Sequence, residues 1–179
     1  MPLPRFVARI DSRVEAVILA RQGGAFDAPA HLLSSMADRS KLWTGLAVLR
    51  ALTDRRNGRV AAVRMLATVA VQSAVVEGGL KKIFARNRPV DSAVALRFGA
   101  RRPPSSSFPS GHSASAACAA VLLSDDTAWG LPLAVLAGGV AWSRVQTGLH
   151  HASDATAGVV LGTVVGLCVR EAWPLPHKP

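Results

Sequence analysis

Three short segments of this chain hold the residue types that handle a phosphate group. Lys81–Pro89 reads KKIFARNRP, Pro109–His112 reads PSGH, and Ser143–Asp154 reads SRVQTGLHHASD. On a helix, Lys81 and Arg88 project from one side, two turns apart. Pro89 ends such a helix and leaves Arg88 at its mouth. A guanidinium offers a phosphate two parallel donors, and a lysine acts as a point charge. PSGH precedes an Ala/Ser-rich stretch of helical composition. Free N–H groups at a helix start bind anions, and Gly111 lets backbone come close. Ser110 there can donate its hydroxyl or cap the helix. His112 falls at the lip of that anion site, where an imidazole can protonate a departing alkoxide.

The third segment adds Arg144, then a short Gly-containing turn and His150. From His150 to Asp154 is i to i+4, so the carboxylate can reach one ring nitrogen and leave the other aimed at phosphorus. The i+4 neighbour of His151 is Ala155, which gives that histidine no carboxylate at the same spacing. Bland readings stand beside these. Ser110 and Asp154 both suit helix N-caps, and Lys82, Arg86, Arg97, Arg101 and Arg102 suit a solvated basic face.

In this order and spacing, K-x6-RP, PSGH and SR-x5-H-x3-D resemble the type 2 phosphatidic acid phosphatase (PAP2) superfamily, in particular its bacterial membrane lipid phosphatases. The motifs cover residues 81–154, with helical context over about 40–172; ADRSKLW (Ala37–Trp43) is a looser feature of some bacterial members. The resemblance implies an all-α, integral-membrane bundle and a phosphatase without a cofactor. His150 would be the nucleophile that becomes phosphohistidine, Asp154 its orienting partner, and His112 the general acid and base. Lys81, Arg88, Ser110, Gly111 and Arg144 would hold the phosphate oxygens. The expected substrate is a membrane lipid phosphate: phosphatidic acid, phosphatidylglycerophosphate, or a polyprenyl phosphate or diphosphate. Competing readings are a soluble acid phosphatase or a vanadium haloperoxidase of the same fold, and a non-catalytic protein that binds anionic lipid.

The composition fits a single membrane-associated domain. The chain has 179 residues, is 50% hydrophobic and carries a formal charge of +10; its mean hydropathy is +0.28. The basic residues are not interleaved with stacking aromatics, which argues against nucleic acid and for anionic lipid or substrate. No carboxylate/histidine cluster has metal-ligand spacing, and Cys118 and Cys168 read as small buried apolar residues.

The elements that must position the site are five apolar runs: Leu42–Thr53, Val60–Val76, Ser113–Leu123, Ala128–Trp142 and Ala155–Val169. They predict about five membrane helices, though each run is shorter than the roughly 20 residues that span a bilayer. Arg50 and Arg64 would snorkel to an interface, and Trp43, Trp129, Trp142 and Trp173 would mark the ends of runs. An amphipathic helix with Val7, Ile10, Val14, Val17 and Ile18 on one side precedes them, lying on the membrane or packing on the bundle. The chain thus divides into residues 1–39 (interfacial segment), 40–172 (phosphatase domain) and 173–179 (tail). The resemblance places it in the cytoplasmic membrane with the site on the outer face. Arg55, Arg56 and Arg59 would then lie inside, in keeping with the positive-inside rule, while the other Lys and Arg residues of the motif face count against it.

Overall fold

In the computed structural model, which describes residues 4–89 and 104–176, all regular structure among the described residues is helical. The helices are α1 (Arg5–Ala20), α2 (Asp27–Ala37), α3 (Lys41–Thr53), α4 (Gly58–Val75), α5 (Lys81–Phe84), α6 (Gly111–Leu123), α7 (Gly130–Gln146) and α8 (Ala152–Ala172). A π-helical turn, Val76–Leu80, joins α4 to α5 without a break. Each of the five apolar runs forms a helix, but two are long and apolar enough to cross a membrane: Gly58–Phe84, with 27 residues, and Ala152–Ala172, with 21. Helices α3 and α6 have 13 residues each. At about 1.5 Å per residue they reach about 20 Å, short of a hydrocarbon core about 30 Å thick.

Helix α6 is the central element, packed by α8, α7 and α4. Ser113 to Ala120 are all buried, as expected for a helix of small residues without a polar face. Opposite it, Gly158, Gly162 and Gly166 form the buried face of α8. A Cβ on Gly162 would stand 2.0 Å from Ala114 O, and one on Gly158 would stand 2.5 Å from Ser110 O. The two backbones are therefore in contact, as in small-residue packing between membrane helices. Since α6 starts beside His112 and α8 starts just past His150, this contact sets the spacing of the two histidines.

Arg50 and Arg64 do not snorkel. Both are fully buried, at 0% exposure. Arg50 donates to Leu123 O and Asp125 O; Arg64 donates to Leu122 O, to Trp173 O and, at 2.7 Å, to Asp125 Oδ2. The last carbonyls of a helix have no partner within it, and a cation there also meets the negative end of the helix dipole. Trp43 lies in the core, while Trp142 and Trp173 are exposed. Cys118 is buried, but Cys168 is exposed on α8, contrary to its apolar context in the sequence.

The N-terminal segment holds two helices instead of one. In α1 the inward stripe is Val7, Asp11, Val14 and Ile18, and Asp11 is the buried residue. Phe6, Ile10, Val17 and Leu19 are exposed. Helix α2 packs on α7, where Gln146 Nε2 donates to Asp27 Oδ1 at 3.0 Å. Arg97, Arg101 and Arg102 lie outside the described residues.

Candidate active site

His150 is held in one tautomer by its two neighbours. Its Nδ1 is 2.7 Å from Ser107 O, and a carbonyl only accepts, so Nδ1 carries the proton. Its Nε2 is 3.3 Å from Arg88 Nη1, and a guanidinium only donates, so Nε2 presents its lone pair. The backbone N–H of His150 donates to Arg144 O at 3.1 Å, which fixes the residue to the end of α7. Burial pushes the imidazole down from its ordinary value to about 3, and the positive charges of Arg144 and Arg88 act in the same direction against the pull of Asp154. The result is a buried neutral imidazole whose free nitrogen faces a cation, a geometry suited to attack on an anionic phosphate.

Asp154 holds a different position from the one its spacing suggests. Its Oδ2 is 3.8 Å from His150 Nδ1, beyond hydrogen-bond range, and accepts instead from His151 N at 2.9 Å. Oδ1 accepts from Arg86 Nη1. Asp154 is thus both a cap for the first turn of α8 and a negative charge beside the imidazole, while Ser107 holds the ring proton. Nothing in the sequence signals this, because a carbonyl acts whatever its side chain. Ser105 O and Ser106 O likewise accept from Arg88, at 3.2 and 3.4 Å, and Leu149 O accepts at 2.6 Å.

Arg86 is not on a solvated face. It bridges Asp154 to Asp11 of α1, 2.7 Å away, and donates to Ser153 Oγ at 2.8 Å. Asp11 also accepts from Ser153 N at 2.9 Å and Ser153 Oγ at 2.6 Å. Burial pushes its carboxyl up, but these bonds from Ser153 and Arg86 outweigh that and hold it below its usual value. The N-terminal helix is therefore latched to the start of α8 by charge.

Lys81, Gly111, His112 and Arg144 form the other half of the site. Ser105 links the halves, since its Oγ accepts from Lys81 Nζ at 3.3 Å while its carbonyl takes Arg88. Lys81 also pairs with Glu77 on the π-turn. A Cβ on Gly111 would meet Glu77 Oε1 at 3.2 Å, which brings the lysine pair against the start of α6. His112 Nε2 lies 2.9 Å from Asp38 Oδ1, and the same oxygen lies 3.5 Å from Arg144 Nη1. Hydrogen bonding to His112, followed by the charge of Arg144, holds the Asp38 carboxyl low. Arg144 is anchored by Ser34 Oγ at 2.6 Å. Ser110 is buried and caps α6, accepting from Ser113 N, while its own N–H donates to Asp154 O at 3.0 Å and ties PSGH to α8. Asp38 belongs to the ADRSKLW stretch, and only proximity in the fold gives it a role. Among the described residues no group of three or more His, Cys, Asp or Glu is placed to hold a metal ion.

The PAP2 superfamily profile matches residues 61–175. The chain belongs to the PAP2 superfamily. Decaprenylphosphoryl-5-phosphoribose phosphatase of Mycobacterium tuberculosis is 35% identical over 160 residues, covering 86% of this chain and 87% of that protein. The enzyme of the same name from Mycolicibacterium smegmatis is 35% identical over 150 residues, covering 80% of each chain. The crystal structure of a transmembrane PAP2-type phosphatidylglycerolphosphate phosphatase from Bacillus subtilis superposes with a TM-score of 0.75 at 20% identity, covering 94% of this chain and 87% of that one. This PAP2 chain is accordingly a phosphatase. Its α1, α2 and α3 precede the matched region, so Asp11, Ser34 and Asp38 reach the PAP2 site from outside it.

Proposed function

We propose that this PAP2 protein removes a terminal phosphate from a membrane lipid through a phosphohistidine on His150, without a metal ion. The observation that carries the reading is the fixed tautomer of His150, with Nε2 presented beside Arg88. Nε2 attacks phosphorus; the P–N bond forms as the bond to the leaving oxygen breaks, and His112 gives that oxygen its proton. His112 then takes a proton from water, which attacks phosphorus, breaks the P–N bond and frees inorganic phosphate. Lys81, Arg88, Arg144, Ser110 and the Gly111 N–H hold the non-reacting oxygens, and such preorganised charge is usually the largest catalytic contribution. Asp154 and the Ser107 carbonyl stabilise the imidazolium character that develops on His150.

The substrates in view are phosphatidic acid, phosphatidylglycerophosphate, polyprenyl phosphates and, from the names of the mycobacterial relatives, decaprenylphosphoryl-5-phosphoribose. The catalytic domain is residues 40–172, served by Asp11, Ser34 and Asp38 from residues 1–39. We place it in the cytoplasmic membrane with the site outside; the Arg55, Arg56 and Arg59 turn stands at the end of the Gly58–Phe84 helix away from Lys81, which suits the positive-inside rule. Phosphate release from these lipids by detergent-purified protein tests the function. Activity that resists EDTA and is inhibited by vanadate supports it, whereas activity abolished by EDTA and restored by a divalent ion contradicts it.

A further inference from the structure

His112 has a carboxylate partner that lies outside the three motifs. Asp38 Oδ1 is 2.9 Å from His112 Nε2 and 3.5 Å from Arg144 Nη1. Asp38 opens a single 3-10 turn, Asp38–Ser40, between α2 and α3 and ahead of the matched region. The next two residues, Arg39 and Ser40, are both left-handed, with φ of 52° and 57°. Residues with a Cβ avoid that conformation; it persists where surrounding contacts hold it, often at functional sites. Arg39 and Ser40 line one hollow with Gly111 and His112, so the strained turn is built against the start of α6 and sets Asp38 on the imidazole.

A general acid for an alkoxide must carry a proton at the working pH. Most of what surrounds His112 opposes that. Burial lowers its pKa, and the charges of Arg144 on α7 and Lys81 on α5 act in the same direction. Asp38 pulls the other way, through its hydrogen bond and its charge. Arg39 and Glu77 line the same hollow, but the Glu77 carboxylate is paired with Lys81, and Lys41 of α3 acts on Asp38 itself. A carboxylate only accepts, so His112 Nε2 carries a proton towards Asp38, and Nδ1 is the nitrogen left to exchange a proton with the leaving oxygen. We propose that Asp38 is a positioning residue for the general acid: its carboxylate bonds Nε2–H and stabilises the imidazolium whose Nδ1 proton goes to the leaving oxygen and is replaced from the attacking water. This rests on the phosphatase reading above, with His112 as acid and base.

The test is a double-mutant cycle in the full-length protein in detergent, with Asp38→Asn, His112→Ala and the pair. kcat/KM is measured against pH on whichever of phosphatidic acid, phosphatidylglycerophosphate and decaprenylphosphoryl-5-phosphoribose the wild type hydrolyses fastest, and on p-nitrophenyl phosphate. Asp38→Asn should lower kcat/KM for the lipid by about tenfold, a part of the roughly 100-fold or more that a general acid contributes, and should move the alkaline limb of the pH profile to lower pH. On p-nitrophenyl phosphate, whose phenolate leaves without a proton, the same substitution should change kcat/KM little. In the His112→Ala background it should cost nothing more. A loss that is equal on both substrates and persists without His112 belongs to the fold or to Arg144, and overturns the proposal. So does an Asp38→Asn protein with the wild-type pH profile and kcat but tighter vanadate inhibition, because the carboxylate is then only a plug in the anion site. A wild type active on a lipid and undiminished in His112→Ala keeps the phosphatase reading but removes His112, and Asp38 with it. A wild type that hydrolyses none of the lipids overturns the phosphatase reading itself.

Discussion

Replacing Arg86 with alanine should unlatch α1 from the catalytic turn. The guanidinium is the charge partner of two carboxylates, Asp11 at 4% exposure and Asp154 at 0%. Breaking a buried ion pair by removing one partner costs about 3–5 kcal/mol, because the remaining charge has no water to return to. Folded domains are stable by only about 5–15 kcal/mol, so this is a large share. For a chain of this size each kcal/mol moves Tm by about 2–4 °C, giving an expected drop of about 6–20 °C. Turnover should fall as well, because Asp154 O holds Ser110 and Asp154 itself lies beside His150. The loss should also depend on pH. The Asp11 carboxyl is held low in part by Arg86, so the stability it contributes is present above its ordinary value near 3.8 and is lost as pH falls through its folded value. Acid therefore weakens the wild type more than the variant, and the Tm gap should narrow as pH falls below about 3.8. Arg86→Lys, with one compact charge, should fall between the two. Thermal unfolding in detergent across pH, with phosphate release from the same samples, reads all of this. An Arg86→Ala protein with wild-type Tm and turnover at neutral pH would refute the latch.

Three further perturbations follow from the same geometry. Gly162→Ala puts a Cβ 2.0 Å from Ala114 O and forces α6 from α8; overpacking of this kind costs about 1–3 kcal/mol, and a misplacement of about 1 Å can lower kcat about 100-fold. Wild-type kinetics in that variant would show that the helix contact does not set the histidine spacing. Arg144→Lys should lower kcat/KM because a lysine cannot give the forked contact, and unchanged kinetics would confine Arg144 to its structural bonds with Ser34 and Asp38. For pH, the folded imidazole of His150 resists protonation down to about 3 while the unfolded one protonates near 6.5; wild-type stability should therefore fall as pH drops below 6.5, and His150→Ala should flatten that part of the Tm curve.

The motif residues stand out in the sequence because their types recur at fixed spacing. Lys81, Arg88, Gly111, His112, Arg144 and His150 are drawn into one connected site, and the apolar runs form the helices that carry them. What it hid depends on backbone atoms or on distant partners. Ser107 acts through a carbonyl, so its identity signals nothing. Arg86 looked like any surface cation because its partner Asp11 is 75 residues away in sequence. Asp11 itself looked like an interruption of an apolar run, yet it is the buried point of α1. In the sequence Arg50 and Arg64 look like cations that snorkel from helix ends; the unpaired carbonyls of α6 that hold them appear only once α6 is central.

During turnover His150 should carry the phosphoryl group. The most direct measurement is to mix enzyme with radiolabelled lipid phosphate, quench in alkali, where phosphohistidine survives, and map the labelled peptide. Label should appear on His150 in wild type and be absent from His150→Ala, which should lose turnover while still folding. Label on another residue, or phosphate release by His150→Ala at the wild-type rate, would contradict it.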